Sequence, residues 1–418
     1  MDALPVGFMV FLFVMTVSAL VAWTAPARPR WLGRTVSALA AGINELPLVA
    51  FVLLAHSTWL AVTGNELLTS AIGWILFAVT VGVELLFVVL LIRGLRARAA
   101  VAHALTHTFG GVQQARGTRP VWRTLLTPLP VRPWRVERIG NLSYGPGGRR
   151  NRLDVYRRRS SPAGAPVLVY LHGGGYFSGG KRREARALLY RFADQGWVCV
   201  SAAYRLRPRV QWPDHLIDAK RVLAWVREHA ADFGADPSTL VMAGSSAGAH
   251  LAAVAALSPN EAAFQPGFEH ADTSVAAAVC LYGYYGIYYG RDEHERPSSS
   301  PLLFDATNAP AFFIAHGDHD TYVPVYAARA LAGKLRAESS SPVVYVELPG
   351  GHHGFDVFRS PRFDAVLAGI ETFAARAVGS SAAAGRAAAD DNPTANSTPT
   401  PSGCSVWPSA RRRSVGPD

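Results

Sequence analysis

The segment 244–248, Gly-Ser-Ser-Ala-Gly, constrains the fold of this chain more than any other feature. It fits G-x-S-x-G, a pattern in which a strand turns sharply into a helix and presents the central serine at the turn. The flanking sequence favours the same turn, because the β-branched and apolar run 238–243 predicts a strand before it and the alanine-rich run 250–257 predicts a helix after it. We therefore expect Ser246 to lie at a strand-to-helix elbow in an α/β fold.

A second glycine-rich segment, His-Gly-Gly-Gly at 172–175, directly follows an apolar, strand-like run. Glycines let backbone N–H groups approach a substrate closely. Such a loop supplies oxyanion donors together with the residue after a nucleophilic serine. We expect the N–H groups of Gly173, Gly174 and Ala247 to form an oxyanion hole. His172 is expected to support the loop through hydrogen bonds.

A serine at its ordinary pKa is a weak nucleophile, so it needs a base and an orienting carboxylate. Asp320 and His353 follow Ser246 in the order that this type of elbow requires. Each comes after a strand-like run, at 311–315 and 343–348 respectively. Because sites form at the carboxyl ends of strands in open α/β sheets, we predict a triad of these three residues.

Three further stretches complete a family pattern: Tyr-Arg-Leu-Arg-Pro at 204–208, HGxxDxxVP at 316–324 and His-Gly-Phe at 353–355. Together with the elbow and the HGGG loop they resemble the hormone-sensitive-lipase-like esterase branch of the α/β-hydrolase fold, over roughly residues 120–378. The resemblance implies a mostly parallel sheet with helices on both faces. It also implies a serine carboxylesterase that uses no metal and no organic cofactor.

The elbow departs from that branch at two positions. Ser245 stands where an acidic residue is usual, and Ala249 stands where a further glycine is common. Neither change removes a catalytic group. Ser245 is itself an alternative nucleophile, but it is out of register with the two elbow glycines, which favours Ser246.

The proposed acid and base also have neighbours of the same type. Asp318 is an alternative to Asp320, and the spacing within the His-Gly-Asp-His-Asp run favours Asp320. His352 is an alternative to His353, and the resemblance places the base directly before Gly-Phe. A further set of side chains either walls an acyl or alcohol pocket or packs beneath a loop. These are Tyr282, Tyr284, Tyr285, Tyr288 and Tyr289.

The region 1–98 contains three apolar stretches, at 4–23, 46–62 and 67–92. Because a membrane span needs about 20 apolar residues, we expect three transmembrane helices. With this region attached, the chain resembles the membrane-associated Lip-type carboxylesterases of mycobacteria and related actinobacteria. A cleaved signal peptide is the alternative for the first stretch. Asp2, with no lysine or arginine before the stretch, favours an uncleaved helix.

Arginines follow the first and third stretches, and the short turn between the second and third has none. The positive-inside rule then places the N-terminus outside and the catalytic domain in the cytoplasm. If the second stretch does not span, the domain is exported instead. Glu45, His56 and Glu84 lie in or beside the spans, and we expect a structural pair that holds the second and third helices together.

The net charge is +11, and residues 93–159 hold fifteen arginines against two acidic residues. The basic excess is therefore concentrated next to the membrane. Interleaved with Trp122 and Trp134, it predicts that the segment 99–150 lies on anionic lipid headgroups, or else is a solvated linker. No recognition motif accompanies the charge, so nucleic acid is not an expected partner.

The remaining chain divides into a catalytic domain at 151–378 and a tail at 379–418. The tail is rich in Ala, Ser, Pro and Thr, which predicts disorder. The three cysteines have no metal-binding spacing and require no disulfide.

The pattern as a whole predicts a membrane-anchored serine carboxylesterase that hydrolyses a small-molecule or lipid ester. An acyltransferase with the same triad is one alternative, and a catalytically silent membrane scaffold is another. All proposed catalytic groups lie between His172 and His353. The spans are therefore expected to contribute location and at most one wall of the site.

Overall fold

A single eight-stranded sheet organises the computed structural model, which describes residues 6–24, 33–64, 67–111, 120–160, 163–292, 294 and 296–390. The strands are β1 (Val136–Ser143), β2 (Arg152–Arg158), β3 (Ala165–Leu171), β4 (Val198–Ala202), β5 (Ala235–Ser245), β6 (Ala277–Leu281), β7 (Ala311–Gly317) and β8 (Val343–Leu348). Their order is β1-β2-β4-β3-β5-β6-β7-β8. The pairings β1–β2 and β2–β4 are antiparallel, and the others are parallel.

Helices cover both faces of this sheet. They are α5 (Ala97–Phe109), α6 (Val121–Leu126), α7 (Arg186–Asp194), α8 (Asp214–His229), α9 (Ala247–Leu257), α10 (Tyr326–Glu338) and α11 (Pro361–Asp390). Successive strand residues point to opposite faces. In β3, Val167 and Val169 pack with α8 and α9, whereas Leu168 and Tyr170 pack with α7 and α11. This doubly covered, mostly parallel sheet confirms the predicted fold class.

Four helices precede the sheet: α1 (Val6–Thr24), α2 (Gly33–Glu45), α3 (Pro47–Gly64) and α4 (Ala71–Leu95). Among the described residues, α1, α3 and the run Ala71–Phe109 are long and apolar enough to cross a membrane. They pack into a bundle of their own, which includes Leu12, Leu54 and Phe87. The helix α2 was not predicted from the sequence.

The bundle has a defined direction relative to the sheet domain. Ala22 near the end of α1, Asn44 near the end of α2 and Arg93 in the last turn of α4 all contact one another or the domain. The turn between α3 and α4 therefore lies at the opposite end of the bundle. The helices α1 and α4 run toward the domain, and α3 runs away from it.

The ionisable residues of the bundle do not form the predicted pair. His56 stacks on Trp59 of its own helix, and the structure gives it no hydrogen bond to Glu84 in the described region. Glu45 instead reaches the sheet domain, where it accepts a 2.6 Å hydrogen bond from Ser360 Oγ and pairs with Arg362. Both members of that ion pair are buried, so it fastens α2 to the start of α11.

The sheet domain also begins earlier and ends later than predicted. In α5, Val101 and Leu105 are fully buried against the sheet, and β1 forms its edge. Most of α5 and all of β1 lie in the segment 99–150, which was predicted to be a basic linker or lipid-bound segment. At the other end, α11 continues to Asp390, so the first part of the predicted disordered tail is helical. The tail from 391 to 418 lies outside the described residues.

Candidate active site

The predicted elbow is present between β5 and α9. Ser246 adopts φ of 54°, a left-handed value that is unfavourable for a serine. The turn depends on its two glycines. A Cβ on Gly244 would lie 2.2 Å from the carbonyl oxygen of Gly248, and a Cβ on Gly248 would lie 2.2 Å from that of Leu171. The local sequence therefore fixes the serine at the start of the helix.

Three predicted residues converge at this point. Ser246 Oγ lies 2.9 Å from His353 Nε2, and His353 Nδ1 lies 2.7 Å from Asp320 Oδ2. With His353 protonated on Nδ1, the imidazole donates to the carboxylate and accepts from the serine hydroxyl. This is the arrangement in which a histidine can withdraw the serine proton.

The carboxylate of Asp320 is held by several donors. Its Oδ1 accepts hydrogen bonds from the N–H groups of Tyr322 (2.9 Å) and Val323 (2.8 Å). Burial on its own raises the pKa of Asp320, but the neighbouring His353 and His316 outweigh that effect and hold the pKa well below its usual range. The carboxylate is therefore ionised at neutral pH, as an orienting group must be.

The alternative residues have other partners. Asp318 Oδ1 accepts a 2.6 Å hydrogen bond from the N–H of Gly350. His352 Nε2 donates to the carbonyl oxygen of Ala22 at 3.0 Å. Burial lowers the pKa of His352 to about 4, so this side chain is neutral at physiological pH. Ser245 points away from His353 into a buried cluster. None of the three takes part in the Ser246–His353–Asp320 chain.

The oxyanion loop differs in one respect from expectation. The N–H of Gly173 donates to Glu184 Oε2 at 2.6 Å, so this predicted oxyanion donor is engaged by a buried carboxylate. Gly175 and Ala247 border the cavity in front of Ser246. The intervening Gly174 has φ of 114°, and a Cβ there would lie 2.1 Å from the carbonyl oxygen of Ser178. Of the loop glycines, Gly173 is therefore bonded to Glu184, and Gly175 borders the cavity.

His172 has the supporting position that the sequence predicts. Its Nδ1 lies 2.6 Å from the carbonyl oxygen of Gly173, and its ring stacks on Tyr204 with centroids 4.4 Å apart. The Tyr204 hydroxyl donates to the carbonyl oxygen of His172 at 2.8 Å. Burial lowers the pKa of His172 to about 4, which keeps the imidazole neutral. These contacts hold the loop without placing His172 at the reacting atoms.

A buried cluster of hydrogen-bonded side chains beneath the elbow was not predicted from the sequence. Ser245 Oγ donates to Asp356 Oδ2 at 2.5 Å and accepts from the Tyr170 hydroxyl at 2.9 Å. The Tyr282 hydroxyl donates to the other oxygen of Asp356, and its ring meets the His353 ring edge-on at 4.7 Å. Asp356 therefore connects the elbow to the loop that carries His353. The signal was Ser245, which stands where this branch usually has an acidic residue and is bonded here to the carboxyl group of Asp356.

A cavity of about 750 Å³ lies in front of Ser246. The tyrosine group divides here, because Tyr284 and Tyr289 line the cavity whereas Tyr282, Tyr285 and Tyr288 are buried behind it. Thr24, the last residue of α1, also lines the cavity. The N-terminal bundle thus contributes one part of the wall.

Arg93 joins the bundle to the loops of the site. Its Nη2 donates to the carbonyl oxygen of Ala22 (2.7 Å) and to Asn44 Oδ1 (3.1 Å). Asn44 Nδ2 in turn donates to the carbonyl oxygen of Gly350 at 2.9 Å. Gly350 has φ of 61°, and a Cβ there would lie 2.0 Å from Arg93 Nε. Glycine is favoured at this position because its φ is left-handed, and the Arg93 side chain lies directly against its backbone.

Comparisons with known proteins agree with this architecture. The BD-FAE family profile matches residues 153–295. A truncated carbohydrate esterase from gut microbiota superposes with a TM-score of 0.51 and 21% identity, covering 58% of this chain and 96% of that one. At that identity the likeness shows the fold alone.

Curated sequences are more similar. The probable carboxylic ester hydrolase LipM of Mycobacterium tuberculosis is 40% identical over an alignment of 299 residues that covers 63% of this chain and 69% of LipM. Esterase LipQ of the same organism is 40% identical over 59% of this chain and 64% of LipQ. Esterase LipC is 39% identical over 50% of this chain and 58% of LipC. The match thus spans less than two thirds of LipQ and of LipC. The identity to LipM, over more than two thirds of its length, shows that the chain belongs to the α/β-hydrolase family of Lip-type esterases and is a carboxylic ester hydrolase.

Proposed function

We propose that this protein is a membrane-anchored serine carboxylesterase that hydrolyses acyl esters through an acyl-enzyme on Ser246. The observation that carries the proposal is the continuous hydrogen-bonded chain from Ser246 through His353 to Asp320. The serine lines a cavity large enough for an ester substrate.

In the first half of the reaction, Ser246 Oγ attacks the ester carbonyl carbon while His353 Nε2 takes the hydroxyl proton. Asp320 stabilises the resulting imidazolium. The tetrahedral intermediate collapses, the bond to the alcohol oxygen breaks, and His353 returns its proton to that alcohol. In the second half, His353 deprotonates a water that attacks the acyl-enzyme, and the acid leaves as Ser246 regains its proton.

The oxyanion needs backbone donors beside Ser246. The N–H of Ala247 is the first, since it heads α9 and borders the cavity. Gly174 and Gly175 are the next candidates, because Glu184 engages the N–H of Gly173. The role of Glu184 is then to hold the loop in the shape that aims the following N–H groups at the substrate.

The three long apolar helices support a membrane location. Arginines cluster where α4 meets the catalytic domain, so the positive-inside rule favours a cytoplasmic domain. The basic segment adds a second contact with lipid, because Trp122, Leu129 and Trp134 are exposed beside Arg123 and Arg135. Aromatic and basic side chains together are typical of proteins that lie against anionic headgroups.

The nucleophile is tested by comparing Ser246→Ala with Ser245→Ala on a short p-nitrophenyl ester. Loss of a triad nucleophile lowers turnover by about 10⁴ to 10⁶. Ser245 donates to Asp356 away from the base, so its variant should keep most of its activity. Equal losses in both variants would contradict the assignment of Ser246.

The membrane topology is tested with reporters fused to chains that end at the residue named. A reporter that is active only in the cytoplasm should work after Arg98, and one that is active only outside should work at Gly64. The reverse pattern would indicate an exported enzyme with a single anchor or a cleaved leader.

A further inference from the structure

The end of a membrane-spanning helix forms part of the active-site wall. Thr24 lines the same cavity as Ser246 and Ala247. It is the last residue of α1, whose 19 residues are about 28 Å long at 1.5 Å per residue. That length matches the roughly 30 Å apolar core of a bilayer. Thr24 therefore lies where the helix leaves the hydrocarbon.

This wall is held firmly against the catalytic loops. The carbonyl oxygen of Ala22 accepts hydrogen bonds from both His352 and Arg93. Arg93 Nη1 also donates to the carbonyl oxygen of Trp23 at 3.2 Å, and its guanidinium lies over the Trp23 ring. The end of α1 is thus fixed by hydrogen bonds to the loop that precedes His353.

The cavity also carries the residues that favour a membrane surface. Tyr289, Tyr322 and Tyr326 line it and are 48%, 45% and 68% exposed. On the bundle side, Leu20 and Trp23 are exposed next to Thr24. Tyrosine and tryptophan are enriched at the interface between lipid and water, where an apolar ring and a polar tip are both satisfied. The cavity therefore opens at the level of the headgroups.

We propose that the substrate is the ester of a long-chain amphiphile taken directly from the bilayer. Its carbonyl reaches Ser246 from the interface while its acyl chain passes Thr24 and stays in the lipid. A chain kept in lipid avoids the cost of moving each methylene into water. This inference rests on the proposed esterase activity and adds the substrate class and its path to the site.

The test uses full-length protein in liposomes, with p-nitrophenyl acetate in solution and p-nitrophenyl palmitate in the bilayer. Thr24→Trp narrows the cavity on the side that faces the membrane. The matched control is Thr63→Trp at the far end of α3, since both threonines are exposed and donate to the carbonyl oxygen four residues earlier. Thr24→Trp should lower kcat/KM on the palmitate relative to the acetate by about 10- to 200-fold, the range for a misfit in an apolar pocket. Thr63→Trp should leave this ratio unchanged.

A second pair of variants removes any effect on folding. Thr24→Cys and Thr63→Cys are reconstituted first and then treated with hexyl maleimide, which adds bulk after assembly. The described cysteines, Cys199 and Cys280, are buried. Selective loss of palmitate hydrolysis on modifying position 24 supports the path. Equal loss on both esters, or loss on neither, overturns it and leaves the esterase proposal standing. Wild-type protein that hydrolyses neither ester contradicts the esterase proposal itself.

Discussion

His352 donates a 3.0 Å hydrogen bond to the carbonyl oxygen of Ala22, so the residue next to the proposed base is bonded to the end of α1, the first of the long apolar helices. Arg93 donates to the same oxygen and lies against Gly350. The bundle is therefore hydrogen-bonded to the loop that carries His353. An anchor that supplied only location would need no such contacts.

Replacing Arg93 should impair catalysis without releasing the protein from the membrane. Arg93→Gln removes the donors to Ala22 and Asn44, which lets the 349–353 loop shift. Small misplacements of catalytic groups lower the rate of the chemical step strongly. We expect kcat on a soluble ester to fall about tenfold or more, with a smaller change in KM.

Arg96→Gln is the matched control for this change. Arg96 carries the same charge at the same end of α4 but is exposed. Membrane fractionation and the reporter at Arg98 should be normal in both variants. If both variants lose activity equally, charge at the membrane surface matters and the positioning role of Arg93 is wrong.

The acid and base assignments predict an asymmetry between neighbours. Asp320→Asn should lower kcat by about 10³ to 10⁴, because the amide stabilises the wrong tautomer of His353. Asp318→Asn should be much milder, since this side chain only joins two loops. Steady-state kinetics of the purified variants decides the matter.

The same comparison applies to the two histidines. His353→Ala removes the base and should be severely impaired, whereas His352→Ala loses one contact to α1 and should be milder. A greater loss in His352→Ala would show that the base is misplaced.

Glu184 should act through the oxyanion loop. Glu184→Ala leaves the buried N–H of Gly173 without its acceptor, so the loop should relax and kcat should fall by about 10- to 100-fold, less than the loss of an oxyanion donor itself. Glu184→Gln keeps an acceptor oxygen and should recover most of the rate. If both variants are equally inactive with an unchanged Tm, the carboxylate has a role other than loop support.

Asp356 should make stability depend on pH. Burial and the neighbouring Glu184 raise the pKa of Asp356 to about 7, whereas an unfolded aspartate titrates near 3.9. Between those values the folded protein keeps a proton that the unfolded chain has lost. The contribution of Asp356 to stability therefore falls as pH rises through this window and is constant above it.

Asp356→Asn removes this titration. The Tm of the wild type relative to that of the variant should fall between pH 4 and pH 7, since each unit of raised pKa corresponds to about 1.4 kcal/mol. Thermal unfolding in detergent at several pH values measures the difference. A difference that is independent of pH would contradict a protonated Asp356.

Much of this architecture could be predicted, because short-range rules determine it. The elbow glycines at 244 and 248 are required by backbone approach, and the strand-like runs before Asp320 and His353 place both at one edge of the sheet. The mostly parallel sheet was implied by the family resemblance that the motifs carry.

Contacts between distant parts of the chain were beyond sequence reasoning. Glu45 and Ser360 are 315 residues apart, and nothing local to either indicates the other. The hydrogen bond from Gly173 to Glu184 was not predicted for the same reason, since Glu184 lies beyond the loop. The helix α5 contains one arginine, Arg98, but the excess of arginine over residues 93–159 as a whole made the region resemble a basic linker.

The proposed function depends on Ser246 as the nucleophile of a working triad. Full-length protein labelled with a fluorophosphonate, with the adduct located by mass spectrometry of its peptides, tests this assignment. We expect one adduct per chain on Ser246, which is lost in Ser246→Ala and retained in Ser245→Ala. An adduct on Ser245, or no labelling of a folded wild-type protein, would contradict it.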